Sequence, residues 1–352
     1  MSQNDSEAWT IAWVSECYWE RRHPAGERFR DPTLNSPAGC QRSQRGFMAG
    51  PRPSWEEKRF HFRAMAVSLN RAMDTAKQLP RLAPQGWVGL ALLAVCWPLN
   101  WTLPGMRTAY LFFPLWLGYI LVVDALVFVR AGTSHWARSR RDFVLLFVAS
   151  APVWWLFEVI NWRTRNWEYL GSGTFTEFEY YALCTLSFST VMPAVFETAE
   201  LLRTFRWMDR FASGLRVPAT TIVCRGLLFT GLAMLALTLL WPKIFYPFVW
   251  TSLALMFEPV NRWLGRPHFL EWLERGDWRP VIALSLGALV CGFFWEMWNY
   301  WSWPKWVYHT PGAQFLHVFE MPLLGYGGYV PFALELYGLK NLLWPRGPRL
   351  EL

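Results

Sequence analysis

Apolar residues run along this chain in eight long blocks, at roughly 87–103, 109–129, 143–161, 180–202, 222–240, 245–261, 281–300 and 318–337. Each block holds about 17 to 24 residues with few charges, the length an α-helix needs to cross the hydrocarbon core of a bilayer. The short alternating segments of a transmembrane β-barrel are not seen. The pattern predicts an all-α polytopic membrane protein with about eight transmembrane helices.

Composition points the same way. Of 352 residues, 53% are hydrophobic, 18% aromatic and only 17% charged, with 25 Trp. Soluble domains carry about 25% charged residues, so soluble-enzyme, coiled-coil and disordered classes fit poorly. The net charge of +8 could suggest nucleic acid, but the position of the cations argues for topology instead. The second, fourth and sixth connections hold twelve Arg: Arg130, Arg138, Arg140, Arg141, Arg203, Arg206, Arg210, Arg216, Arg262, Arg266, Arg275 and Arg279. The other connections hold five cations: Arg107, Arg163, Arg165, Lys243 and Lys305. The positive-inside rule puts the Arg-rich side, and with it both termini, in the cytoplasm of a bacterial-type inner or plasma membrane.

Residues 1–54 are polar, Arg-rich and broken by Gly and Pro, and read as a disordered tail. Their composition raises Met65 or Met73 as the true start, which N-terminal mass spectrometry would decide. Between Trp55 and Leu79, Phe62, Met65, Leu69, Met73 and Ala76 recur at helical spacing among basic residues. That predicts a juxtamembrane amphipathic helix within 55–86, lying on an anionic leaflet or simply solvated.

The two halves resemble each other. Asp124 recurs as Glu258, and Gly132-x-x-His135 as Gly265-x-x-His268. Glu158-x-x-Asn161, then Trp167 and Tyr169, recurs as Glu296-x-x-Asn299, then Trp306 and Tyr308. Pro193-x-x-x-Glu197 recurs as Pro331-x-x-x-Glu335. The offsets stay between 133 and 139 throughout, which reads as a duplication. The expected organisation is repeat one over 87–205, a cytoplasmic linker over 206–221, repeat two over 222–340 and a tail over 341–352. Four spans per repeat keep both in one orientation, so the repeats should be related by a pseudo-two-fold axis along the membrane normal.

Acids inside apolar blocks are the candidate chemistry, because a charge at the bilayer centre costs about 2.5–3.5 kcal/mol even on lenient scales. The candidate catalytic set is Glu296 with Asn299, Glu158 with Asn161, Glu197, Glu335, Asp124 and Glu258. Each Glu-x-x-Asn pair shares a helix face, so the Asn is expected to orient the carboxyl. Pro193 and Pro331 are expected to kink their spans and open polar space before Glu197 and Glu335. Trp154, Trp155, Trp295, Trp298 and Glu320 are the candidate substrate-binding residues. Aromatic faces beside carboxylic acids suit protonation of an apolar alkene, with cation–π support for the charge that forms. They equally suit a choline-like headgroup or plain interfacial anchoring.

No metal or other cofactor is expected. His135 and His268 lie in loops near Arg, and His309, His317 and Glu320 form only a loose three-residue set. No HExxH, GxSxG or Walker motif is present. Cys17, Cys40, Cys96, Cys184, Cys224 and Cys291 give no disulfide or CxxC framework. In combining inward acids, Asn and aromatics, the chain resembles polytopic enzymes of isoprenoid or carotenoid modification, although no motif ties it to one of them residue by residue. The leading expectation is a membrane-embedded enzyme acting on a lipid or isoprenoid substrate by carboxylate acid–base chemistry. A proton-coupled transporter or permease, and a non-catalytic scaffold or assembly factor, are the alternatives. The expected partners are a membrane lipid or hydrophobic small molecule, with anionic lipid headgroups at the basic loops and no nucleic acid.

Overall fold

The computed structural model describes residues 82–345, 347 and 350–352. The expectations for 1–54, for the amphipathic helix before residue 82 and for the start at Met65 or Met73 lie outside these residues.

The described chain is mostly helical. In order, it forms α1 (Pro84–Thr102), α2 (Arg107–Ala131), α3 (His135–Arg138), α4 (Arg140–Thr164), β1 (Trp167–Leu170), α5 (Glu177–Phe188), α6 (Val191–Arg203), α7 (Thr221–Leu240) and α8 (Pro242–Phe245). There follow α9 (Val249–Trp263), α10 (Leu270–Arg275), α11 (Arg279–Tyr300), β2 (Lys305–Tyr308), β3 (His317–Val318), β4 (Met321–Pro322) and α12 (Tyr329–Leu343). Among the described residues, five stretches are long and apolar enough to cross a membrane: α2, α4, α5 with α6, α7 and α11. The strands form two separate two-stranded pairs, and no barrel is present among the described residues.

Three predicted blocks are built differently from single spans. The block at 180–202 is divided at Ser189 and Thr190 into α5 and α6. The block at 245–261 opens with a short helical turn before α9. The block at 318–337 becomes the β3–β4 pair and a 3₁₀ stretch, Leu323–Gly328, before α12 starts. Pro193 and Pro331 therefore sit in the first turns of α6 and α12 rather than in mid-helix. In a first turn the missing N–H costs nothing, so these prolines start helices and do not kink them.

Local signals account for the helix ends. Ser134 and Ser139 accept backbone N–H bonds and cap α3 and α4, and Thr176 with Glu179 forms a capping box before α5. Gly132 takes a left-handed conformation at the end of α2.

The core lies where α6 and α11 cross. Met192, Val195, Phe196 and Ala199 of α6 are fully buried, as are Ala283, Leu284, Ala288 and Cys291 of α11. A Cβ on Gly287 would stand 3.0 Å from the Val195 carbonyl oxygen, so the two backbones approach as closely as a small residue allows. Around this crossing, α1 packs on α2, α7 on α9, and α12 on both α9 and α11. By contrast, α7 is mostly exposed within the chain, which suits a helix whose apolar face meets lipid.

One strand pair ties the two halves together at the end opposite the Arg-rich connections. Antiparallel β1 and β2 match Trp167 with Tyr308 and Tyr169 with Trp306. Both strands carry aromatics in alternation, the residues that favour a pleated, half-buried surface.

Candidate functional site

Glu158 and Glu296 lie near the ends of α4 and α11, nearly two turns and about one turn before the segments leading to β1 and β2. Both are buried. A buried carboxyl is tolerable only with hydrogen-bond partners, and here the partners are aromatic. Glu158 Oε1 accepts from Trp154 Nε1 at 3.0 Å, Trp167 Nε1 at 3.1 Å and the Tyr169 hydroxyl at 2.6 Å. Glu296 Oε1 accepts from the Tyr308 hydroxyl at 2.7 Å and the Tyr329 hydroxyl at 2.8 Å. Trp306 Nε1 in turn donates to the Tyr308 oxygen at 2.9 Å. Glu296 Oε2 is buried with no partner among the described residues.

The tyrosines on the strands are held as neutral donors. Burial, and then the neighbouring Glu158, push Tyr169 well above the usual phenol range. Burial and then Glu296 do the same to Tyr308.

The close hydrogen bonds of Asn161 and Asn299 go to backbone. The Asn161 amide donates to the Trp167 carbonyl at 2.9 Å, and its oxygen accepts from Asn166 N at 2.9 Å and Trp167 N at 3.3 Å. The Asn299 amide donates to the Trp306 carbonyl at 2.8 Å, and its oxygen accepts from Trp306 N at 2.9 Å. Each Asn turns the chain from helix into strand. This places Tyr169 or Tyr308 over the carboxyl one turn back, so the Glu-x-x-Asn spacing positions the tyrosine.

These aromatics form the wall of one cavity of about 490 Å³. Trp154, Trp167 and Tyr169 line it from the first half. Trp250, Trp295, Trp306, Tyr308, Tyr329 and Phe332 line it from the second. Trp250 stacks on Trp167 at 5.9 Å between ring centroids, and Trp295 on Tyr329 at 5.9 Å. No Asp or Glu lines the cavity among the described residues. Glu158 and Glu296 stand behind the wall, each joined to it through aromatic donors.

The remaining candidate residues are distributed elsewhere. Trp298 is buried against Trp116 and Trp97, and Trp155 donates to Thr185, so neither lines the cavity. Glu320 ion-pairs with Lys305, a cavity-lining residue. Asp124 accepts from Trp136 N and the Gln85 amide, both at 3.0 Å. Glu258 accepts from Phe269 N at 2.6 Å. Both therefore fasten connections on the Arg-rich side. Glu335 accepts from Leu253 N at 3.1 Å and ties α12 to α9.

Glu197 belongs to a cluster that residue spacing did not reveal. His135 Nδ1 bonds Glu197 Oε1 at 2.9 Å, and His135 Nε2 lies 3.1 Å from Glu200 Oε1. Arg138 holds both oxygens of Glu200 at 2.7 and 2.9 Å. His135, Glu197 and Glu200 are close enough to hold a metal ion. With Arg138 they also balance as two cations against two anions. His268, the sequence match of His135, is only half-buried, and its Nδ1 accepts from Glu271 N. His309 pairs with Glu168, His317 with Gln314 and Glu320 with Lys305, so those three do not converge.

Tyr329 joins the site without any local sequence signal. It lies 33 positions from Glu296, and no motif connects them. Its ring fits because residue 292, one turn before Glu296, is glycine: a Cβ there would stand 2.4 Å from the Tyr329 ring. Comparison with protein-family models, curated proteins and solved structures finds no match.

Proposed function

We propose that this integral membrane protein takes a lipid or isoprenoid-like hydrophobic molecule into the aromatic cavity and acts on it by acid–base chemistry. The observation that carries this reading is that two buried carboxyls are hydrogen-bonded to groups lining one cavity of about 490 Å³: Glu158 to one hydroxyl and two indoles, Glu296 to two hydroxyls. Apolar walls with a few convergent polar groups are the usual form of a small-molecule site. A buried network serving only to fix helix register would have no reason to surround so large a space.

The chemistry follows from the donors. A phenol hydroxyl gives its proton to an alkene carbon of the substrate, and Glu296, in its acid form, returns a proton to that phenol oxygen. The carbocation formed lies among indole faces, which stabilise positive charge. Loss of a proton from a neighbouring carbon back to the phenol oxygen, which passes its own proton to Glu296, leaves an isomer of the substrate and restores the acid, while Glu158 holds Tyr169, Trp154 and Trp167 at the cavity wall. Atoms and electrons balance without oxidant or reductant.

We also read the chain as eight membrane segments in two tandem repeats of four about a pseudo-two-fold axis along the membrane normal, the last of each repeat entering the membrane through a break before a shorter helix, α6 or α12. The recurring bonds of Glu158 and Glu296 to Tyr169 and Tyr308, and of Asn161 and Asn299 to the strands, support it. The Arg distribution supports a cytoplasmic side at the α3 and α10 connections, with both termini there.

The test compares lipid extracts of membranes containing the wild-type chain or Glu296→Gln. A lipid or isoprenoid species consumed only by the wild type, with a product of equal mass, is the expected result. Identical extracts overturn the enzymatic reading. Unaltered molecules moved across proteoliposomes, with flux lost in Glu296→Gln, replace it with transport.

A further inference from the structure

A second pocket, of about 260 Å³, lies at the Arg-rich end, where the last turns of α2 and α6 meet α3. Three guanidinium groups bound it: Arg130, Arg138 and Arg203. Arg130 is fixed in place, its Nε donating to Thr204 Oγ1 at 2.5 Å and its cation resting 3.9 Å over the Phe205 ring. Among the described residues, neither Arg130 nor Arg203 has a carboxylate within ion-pair distance.

Topology explains why cations gather on this side, and helix C-termini favour cations in their last turns. Neither explains two buried N–H groups, Arg203 Nε and Arg138 Nη1, that have no acceptor among the described residues. A buried donor left unmade is costly, and a charged one more so. The chain itself brings an anion towards the gap. The exposed Glu351 carboxylate lies 3.8 Å from Arg138 Nη1, too far to satisfy it, while Glu351 N donates to Glu200 at 2.8 Å. Within the pocket, Glu200 is already matched by Arg138 and His135. The remaining charge is two guanidinium groups against one loosely held carboxylate.

We propose that this pocket binds a phosphate group, with Arg130, Arg138 and Arg203 as its ligands and Glu351 as a built-in competitor. Forked guanidinium donors match phosphate oxygens, and the volume takes one such group. The phosphate comes from an anionic lipid headgroup or from a soluble phosphate, and the two sources separate experimentally. This site lies at the opposite end of the helices from the aromatic cavity and does not depend on the reading given to that cavity.

The purified full chain in neutral detergent is melted at constant ionic strength with inorganic phosphate, with phosphatidylglycerol, or with phosphate-free diacylglycerol. A saturable rise in melting temperature with phosphatidylglycerol but not diacylglycerol is expected. An equal rise with millimolar inorganic phosphate supports the same site with a soluble source. Arg203→Gln should weaken the binding about tenfold or more, the scale of one charge-assisted hydrogen bond. Should Arg203→Gln fail to fold, Glu351→Gln, on an exposed side chain, should tighten binding about threefold, the scale of one exposed charge pair. No rise with either phosphate, an equal rise with diacylglycerol, or an affinity that neither substitution moves overturns the proposal.

Discussion

Trp167 and Tyr308 face one another across the β1–β2 pair, and each hydrogen-bonds a different buried carboxyl: Trp167 Nε1 reaches Glu158, and the Tyr308 hydroxyl reaches Glu296. The pairing couples two acids that lie on separate helices and 138 positions apart. A ligand in the cavity that displaces either strand thus disturbs the hydrogen bonds of both.

Glu296→Gln should separate chemistry from folding. An amide oxygen still accepts from Tyr308 and Tyr329, so melting temperature should move little. Conversion should fall by about 10²- to 10⁴-fold, the usual worth of general acid–base catalysis. Tyr308→Phe should act in the same direction. Product formation in reconstituted membranes, measured beside a melting curve, checks both; a matched loss of stability and activity would show the acid to be structural.

Gly292→Ala should reproduce the loss of Tyr329 without touching a functional group. The added methyl meets the ring at 2.4 Å, and the ring must move away from Glu296. The test is whether Gly292→Ala and Tyr329→Phe together lose no more activity than either alone. Additive losses would mean the glycine serves packing only.

Asn161→Ala and Asn299→Ala should each loosen one strand. Asn161 makes three hydrogen bonds to backbone at 2.9 to 3.3 Å. At about 1 kcal/mol each, with backbone groups left unpaired, the cost is about 2–4 kcal/mol. Hydrogen exchange of residues 166–170 and 305–309 should rise in both variants, because one strand cannot stay paired when the other frays.

How much of this was legible in the sequence differs by element. The helical membrane class and the segments α2, α4, α7 and α11 follow directly from long apolar runs. The run at 318–337 misled, because mean apolarity does not register that Pro322, Gly325, Gly327 and Gly328 favour turns over a continuous helix. The Glu-x-x-Asn pairs were visible as pairs, but their spacing alone suggested side chains meeting on one face. The Asn amide instead matches backbone groups just past the helix end, which only the path of the chain reveals. The His135–Glu197–Glu200 cluster joins positions 62 and 65 apart, and no periodic signal spans such a distance.

The same cluster makes stability depend on pH. Burial works against the His135 cation, but the charge and hydrogen bond of Glu197, and then Glu200, outweigh it and the repulsion from Arg138, so its pKa is raised. A group raised in the folded state adds stability that is complete below its unfolded value, about 6.5 for histidine. That contribution fades as pH climbs through the folded value. The melting temperature in detergent should therefore fall as pH rises from about 6.5. His135→Gln should lower the curve at acidic pH and remove this part of its slope. His135→Ala, which also removes the hydrogen bond to the buried Glu197, should lower the curve further than His135→Gln. A slope unchanged in His135→Gln would place the titration in another group.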